Sequence, residues 1–277
     1  MVQLGKFKFP QGGSPKFDSS GRLSDVGPLR ILDIAASLIA QGSESGSDVW
    51  HHLGPFTDAT SYVLALFDCR DPPPDRFSIG VYKLLRLFIG WLSELEGYDD
   101  GQFVLTHPDL DMQNILVTEE GNICGIIDWE GVAVVPTCVG NLCYPSFLIR
   151  DWDPTVYDYD LSGATENEIE NSPEELQRFR SAYCDMIGKL LGTEHPKATK
   201  MSLVIENLKI AADNPISTHG IVERVFEEME RVAEKSIGAD KEELYLYEVA
   251  CDLESGCLDE STVAILKNRF LHLCNSL

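Results

Sequence analysis

His107-Pro108-Asp109, with Asn114 five residues after the aspartate and Asp128 fourteen further on, is the group of side chains in this chain most suited to shared chemistry. A positioned carboxylate can orient a hydroxyl and take its proton. A side-chain amide and a second carboxylate offer oxygen donors to a hard cation such as Mg2+, which keeps several waters and is otherwise held by phosphates. Those are the groups that phosphoryl transfer from a nucleotide to a hydroxyl asks of a protein. Singly they are ordinary, since a histidine before a proline is often a buried turn residue and Asp or Asn often caps a loop or ends a strand. Their joint spacing carries the reading.

The flanking residues supply the elements that must position them. Phe103, Val104 and Leu105 form a short apolar run into the loop. Residues 114–118 read as a strand, Glu119-Glu120-Gly121-Asn122 as a turn, and residues 123–127 as the returning strand of a β-hairpin. Such a hairpin places Asn114, at the start of one strand, beside Asp128, at the end of the other, with Asp109 just before it.

The spacing H-x-D-x-x-x-x-N is that of a kinase catalytic loop. The segments Thr106 to Val117 (THPDLDMQNILV), Gly121 to Pro136 (GNICGIIDWEGVAVVP) and Gly140 to Pro154 (GNLCYPSFLIRDWDP) resemble the aminoglycoside phosphotransferase family, and its fungal-type members in particular. The resemblance implies an α+β, protein-kinase-like fold whose mainly helical C-lobe carries small β-hairpins. It further implies Asp109 as catalytic base, His107 as an orienting residue, and Asn114 and Asp128 as the cofactor-binding Mg2+ ligands, with ATP as co-substrate. Pro108 stands where many members have glycine, which stiffens the loop without removing a functional group. Trp129-Glu130 replaces the Phe-Gly of protein kinases and favours a metabolite kinase.

An N-lobe with a phosphate-covering loop, a strand lysine and a helix glutamate is expected of a working member, and the residues before the loop do not read as one. Gly12-Gly13 lies in a proline-punctuated loop, and Lys6 and Lys8 lie in a possible β-segment with no partner helix following. Residues 5–29, with an Asp18-Ser19-Ser20-Gly21 turn, resemble the small hairpin that follows the inter-lobe hinge. The expected organisation is therefore an N-terminal arm over residues 1–50 and a kinase-like C-lobe over 51–277, with the N-lobe largely absent and weak or no transfer by this form. A catalytically silent, pseudokinase-like binding or scaffold protein is the alternative. A metal-dependent hydrolase using Asp109 and Asp128 is a poorer third, because no His/Glu cluster completes its site.

With 277 residues, 44% of them hydrophobic, the chain can bury a substantial core. A formal charge of -23 argues against nucleic acid as partner, since phosphates would be repelled. That charge suits first a self-repelling surface, and second a site for a cationic small-molecule acceptor. No run approaches the roughly 18 apolar residues of a membrane span and no signal peptide opens the chain, so no membrane partner and a cytoplasmic location are expected. The eight cysteines are scattered without zinc spacing and read as reduced thiols, with Cys124 and Cys184 as small core residues.

The remaining pattern is helical. Thr57 is expected to cap a helix through Tyr62, Leu66 and Phe67, stopped by Asp71-Pro72-Pro73-Pro74. A second helix over 78–96 carries Leu84, Leu85, Phe88, Trp91, Leu92 and Leu95 as a core stripe. An acidic loop spans 157–171, its Asp158, Asp160, Glu166, Glu168 and Glu170 expected to be solvated. Ser172-Pro173-Glu174-Glu175 opens a helix that buries Leu176, Phe179, Tyr183, Ile187 and Leu190 and ends at Gly192. Amphipathic stretches follow at 200–212, 219–237, 241–254 and 261–274. Family resemblance places the acceptor wall there, with Glu223, Glu227, Glu228 and Glu230 either lining an anionic pocket or facing solvent.

Overall fold

The computed structural model describes residues 3–32, 49–159, 170–192, 195–237 and 242–277. The chain is mixed α+β, with small antiparallel sheets and long helices, and divides into two compact units. Unit 1 is Met1–Ala65 with Asp99–Asn141; unit 2 is Leu66–Tyr98 with Leu142–Leu277.

Unit 1 holds the strands: β1 (Lys8–Phe9), β2 (Ser14–Phe17), β3 (Leu23–Gly27), β4 (Leu29–Leu32), β5 (Trp50–Leu53), β6 (Phe103–Thr106), β7 (Ile115–Val117), β8 (Ile123–Ile126) and β9 (Ala133–Pro136). β6 is the middle of a three-stranded antiparallel sheet in the order β1-β6-β9. Val104 lies opposite Lys8 on one side and Val135 on the other, and Phe103, Val104 and Val134 are buried. Burial of this apolar strand anchors the loop that starts at His107. β2 and β3 form the expected hairpin, its turn closed by Asp18, whose Oδ1 accepts from the N–H groups of Ser20 (2.8 Å) and Arg22 (3.0 Å).

Gly12-Gly13 is more than a loop. Gly12 N–H donates to Phe56 O and Gly13 N–H to Val134 O, each at 2.8 Å. A Cβ on Gly12 would stand 2.6 Å from the Phe103 ring, and one on Gly13 2.0 Å from Gly27 O. Only glycine lets the backbone pass so close to the sheet. Lys6 corrects another expectation, because it ends a 3-10 turn (Leu4–Lys6) rather than standing in a strand.

Helix α1 (Ala59–Asp68) is capped by Asp58, not Thr57. The Asp58 carboxylate accepts from Ser61 N–H at 2.8 Å, while Ala59 N–H goes to Asp99 Oδ2 at 3.0 Å, so both donors are met by carboxylates other than the Thr57 hydroxyl. Helix α2 (Arg76–Trp91), in unit 2, begins two residues before its expected start because Asp75 caps it, accepting from Ser78 N–H. All six residues of its expected stripe are buried.

Unit 2 continues with α3 (Pro173–Leu191), α4 (His195–Asp213), α5 (Pro215–Ile237), α6 (Leu246–Ser255) and α7 (Glu260–Ser276). Ser172 caps α3 as expected, and the Glu175 side chain returns a bond to the Ser172 N–H to complete a capping box. Leu176 and Ile187 are buried, but Phe179 and Leu190 are exposed, since α3 buries a narrower face than its apolar content suggests. The rings of Phe88 and Phe270 stack at 4.8 Å and 9°, joining α2 to α7. Arg180 and Asp151 form an ion pair with each side chain 7% exposed. No helix among the described residues is long and apolar enough to cross a membrane.

All eight cysteines are thiols. Cys184 is buried as expected, whereas Cys124 is exposed because β8 belongs to a two-stranded sheet.

Candidate active site

The four predicted residues lie in unit 1, on the loop and hairpin that follow β6. His107 is 4% exposed, and its two ring nitrogens have partners of opposite kind. Asp109 N–H donates to Nδ1 at 3.1 Å, so Nδ1 is the unprotonated nitrogen. Nε2 therefore carries the hydrogen and donates it to Ile127 O at 2.8 Å. The imidazole thus ties the start of the loop to the residue before Asp128.

Asp109 is exposed, and Asn114 beside it is buried. The Asn114 Nδ2 donates to Asp109 O at 2.9 Å and to Asp109 Oδ2 at 3.1 Å. Gln113 Nε2 adds a longer contact to the same carboxylate oxygen at 3.3 Å. Both acceptors around the Asn114 nitrogen are oxygens, which fixes the orientation of the amide. The nitrogen is used to hold Asp109, and the amide oxygen is the atom left for a cation.

The main chain fixes Asn114 as well. It closes a 3-10 turn (Met112–Asn114) capped by Asp111, with its N–H on Asp111 O at 3.0 Å. Its carbonyl accepts from Ile127 N–H at 3.0 Å, which extends the β7-β8 ladder by one residue. Asp128 follows directly, exposed, with φ 62. Among the described residues it is the only non-glycine with positive φ. Left-handed backbone is uncommon outside glycine, and aspartate is one of the few other residues that tolerate it.

His107, Asp109 and Asn114 are thus joined by direct hydrogen bonds, and Asp128 is tied to them through the main chain of Ile127. Among the described residues, no group of three or more His, Cys, Asp or Glu side chains is placed to hold a metal ion. Asn114 Oδ1 and the Asp128 carboxylate are two oxygen donors of the kind a hard cation takes when water and phosphate complete its shell.

Two of the α5 carboxylates and Glu170 are held by arginines. Glu228 is buried, taking Arg224 Nη2 at 3.1 Å and Arg231 Nε at 2.8 Å, and Glu230 takes Arg269 Nη1 at 2.6 Å. These arginines pair with Glu228 and Glu230, whereas Glu223 and Glu227 are exposed, the latter with Arg224 Nη1 at 3.6 Å. Glu170 accepts from Arg150 Nε at 3.1 Å and is not merely solvated. Asp160, Glu166 and Glu168 lie outside the described residues.

Sequence reasoning missed Gln113 and Asp111, which brace Asp109 and Asn114. Asp111 had a signal, because Asp is a favoured residue just before a short helical turn, and Gln113 had none. Comparison with protein-family models, curated proteins and solved structures gave no match for this chain.

Proposed function

We propose that unit 1 carries the acceptor-activating and cation-holding part of a kinase-like phosphotransferase site, of the aminoglycoside-phosphotransferase type. ATP is the donor, and a hydroxyl of a small molecule is the acceptor. The observation that carries this reading is Asn114, whose side-chain nitrogen holds the Asp109 carboxylate and whose main-chain carbonyl accepts from the N–H of Ile127, the residue before Asp128.

In this reading Asp109 orients the acceptor hydroxyl and takes its proton as the oxygen bonds to the γ-phosphorus and ADP leaves. Asn114 keeps that carboxylate aimed, and His107 holds loop and hairpin in register. Asn114 Oδ1 and the Asp128 carboxylate would hold Mg2+, which supplies neutralisation of phosphate charge.

A second reading is a silent binding module. It is favoured by Lys8 and Lys16, the lysines on the described strands, which are exposed and make no ion pair among the described residues. The test is calorimetric titration of the 277-residue chain with a non-hydrolysable ATP analogue and Mg2+, with Asp128→Asn as control. Binding that is lost in the control is expected; no binding by the unaltered chain overturns the phosphotransferase reading. Where transfer is detected, Asp109→Ala should lower it by about 10²- to 10⁴-fold, the usual contribution of a general base.

A further inference from the structure

The residue after Asp128 is joined to both sides of the Asp128 turn. Trp129 Nε1 donates to Ile126 O at 2.8 Å, and its ring meets the His107 ring edge-on at 4.6 Å and 73°. The hairpin register shows why those contacts matter. Ile115 is opposite Ile126, and Ile127 N–H bonds Asn114 O, so the main-chain groups of Ile126 point away from β7. Among the described residues β8 has no second neighbour, so the ladder gives Ile126 O no partner. The return bond of the next pair is also not made, because Asn114 N–H turns to Asp111 O. The two carbonyls before Asp128 are instead held by side chains, Ile126 O by Trp129 and Ile127 O by His107.

We propose that Trp129 is a positioning residue for Asp128. Its indole N–H fixes the carbonyl two residues before the aspartate, and its ring braces the imidazole that fixes the next one. Together these contacts hold Asp128 in the left-handed conformation that presents its carboxylate. Phenylalanine would keep the ring contact and lose the hydrogen bond.

The proposal has a conformational arm, independent of function, and a metal arm that rests on the reading of Asp128 as a cation ligand. In the first, NMR of the full chain compares wild type, Trp129→Phe and Trp129→Ala. The intraresidue HN–Hα cross-peak of Asp128 reports positive φ, and the ring 15N shifts of His107 report its tautomer. A strong Asp128 cross-peak in wild type that weakens in Trp129→Phe, and further in Trp129→Ala, is expected. Unchanged signatures in both variants would overturn the proposal. In the second, Mn2+ is titrated and read by water-proton relaxation. A neutral hydrogen bond lost from the turn should weaken Mn2+ binding about three- to tenfold in Trp129→Phe. If Mn2+ binds wild type, is lost in Asp128→Asn and is unchanged in Trp129→Phe, the positioning proposal fails and the phosphotransferase reading stands. If wild type binds no Mn2+, that reading fails and the NMR comparison alone decides the role of Trp129.

Discussion

Asn114→Asp is the perturbation that bears most directly on the candidate site. It replaces a donor that faces two oxygens with a carboxylate oxygen. The nitrogen it removes sits 3.1 Å from Asp109 Oδ2. At that distance two unit charges repel by about 1 kcal/mol in a water-like dielectric and by about 5 kcal/mol at the effective dielectric of a protein. Asp109 is exposed, so the lower end applies. Loss of a hydrogen bond to a charged group adds about 1.5–3 kcal/mol, giving roughly 3–4 kcal/mol in all. Asn114→Ala removes the donor without adding charge and should cost only the second part. The two variants separate by pH. In the unfolded chain the two carboxylates ionise independently. In the folded Asn114→Asp variant they share a proton and keep it to higher pH, so stability falls as pH rises through that window and recovers in acid. Urea unfolding of both variants at neutral and acid pH measures the difference. Equal destabilisation of the two at every pH would refute the placement of the Asn114 nitrogen on Asp109.

Burial raises the Glu206 carboxyl above the usual carboxylate range, against the pull of Lys209 at 3.9 Å. The folded chain therefore keeps that proton to higher pH than the unfolded chain, and stability is lost as pH rises through the raised value. Glu206→Gln should raise the melting temperature at neutral pH, with the gain fading in acid; a pH-independent effect would contradict this origin. Gly80→Ala should destabilise unit 2 by about 1–3 kcal/mol in urea unfolding, because the new Cβ would stand 2.0 Å from Ala250 O where α2 meets α6. Among the thiols, exposed Cys124 and Cys257 should react first with an aromatic disulfide reagent in the native protein. Cys274, buried and pushed up to about 12 by that burial, should react only on unfolding.

The grouping of the candidate residues was legible in the sequence because it is local. Asp109, Asn114 and the hairpin to Asp128 lie within one short stretch, and turn chemistry at Gly121 (φ 82) fixes the hairpin register. The helices were legible from the same kind of local signal, with the Ser172 capping box as its clearest case. What escaped was set by partners distant in sequence. Phe9 pairs with Phe103 through a two-residue strand too short to show any alternation. Thr57 and Asp58 are both good caps, and the choice between them depends on Asp99. Cys124 has apolar neighbours in sequence, yet its two-stranded sheet leaves it exposed. The left-handed Asp128 was not readable either, since the glycine that usually marks such a backbone is absent there.

The short β1 strand has a consequence for how the protein withstands proteases. Lys8–Phe9 occupies one edge of β6, and Ala133–Pro136 occupies the other. A cut in the segment that follows β1 and Pro10, releasing this peptide, would turn Phe103 and Val104 into an open template for main-chain pairing, a few residues upstream of His107. A clipped molecule should then take its missing strand from another copy, so self-association and distortion of the candidate site would begin with the same nick.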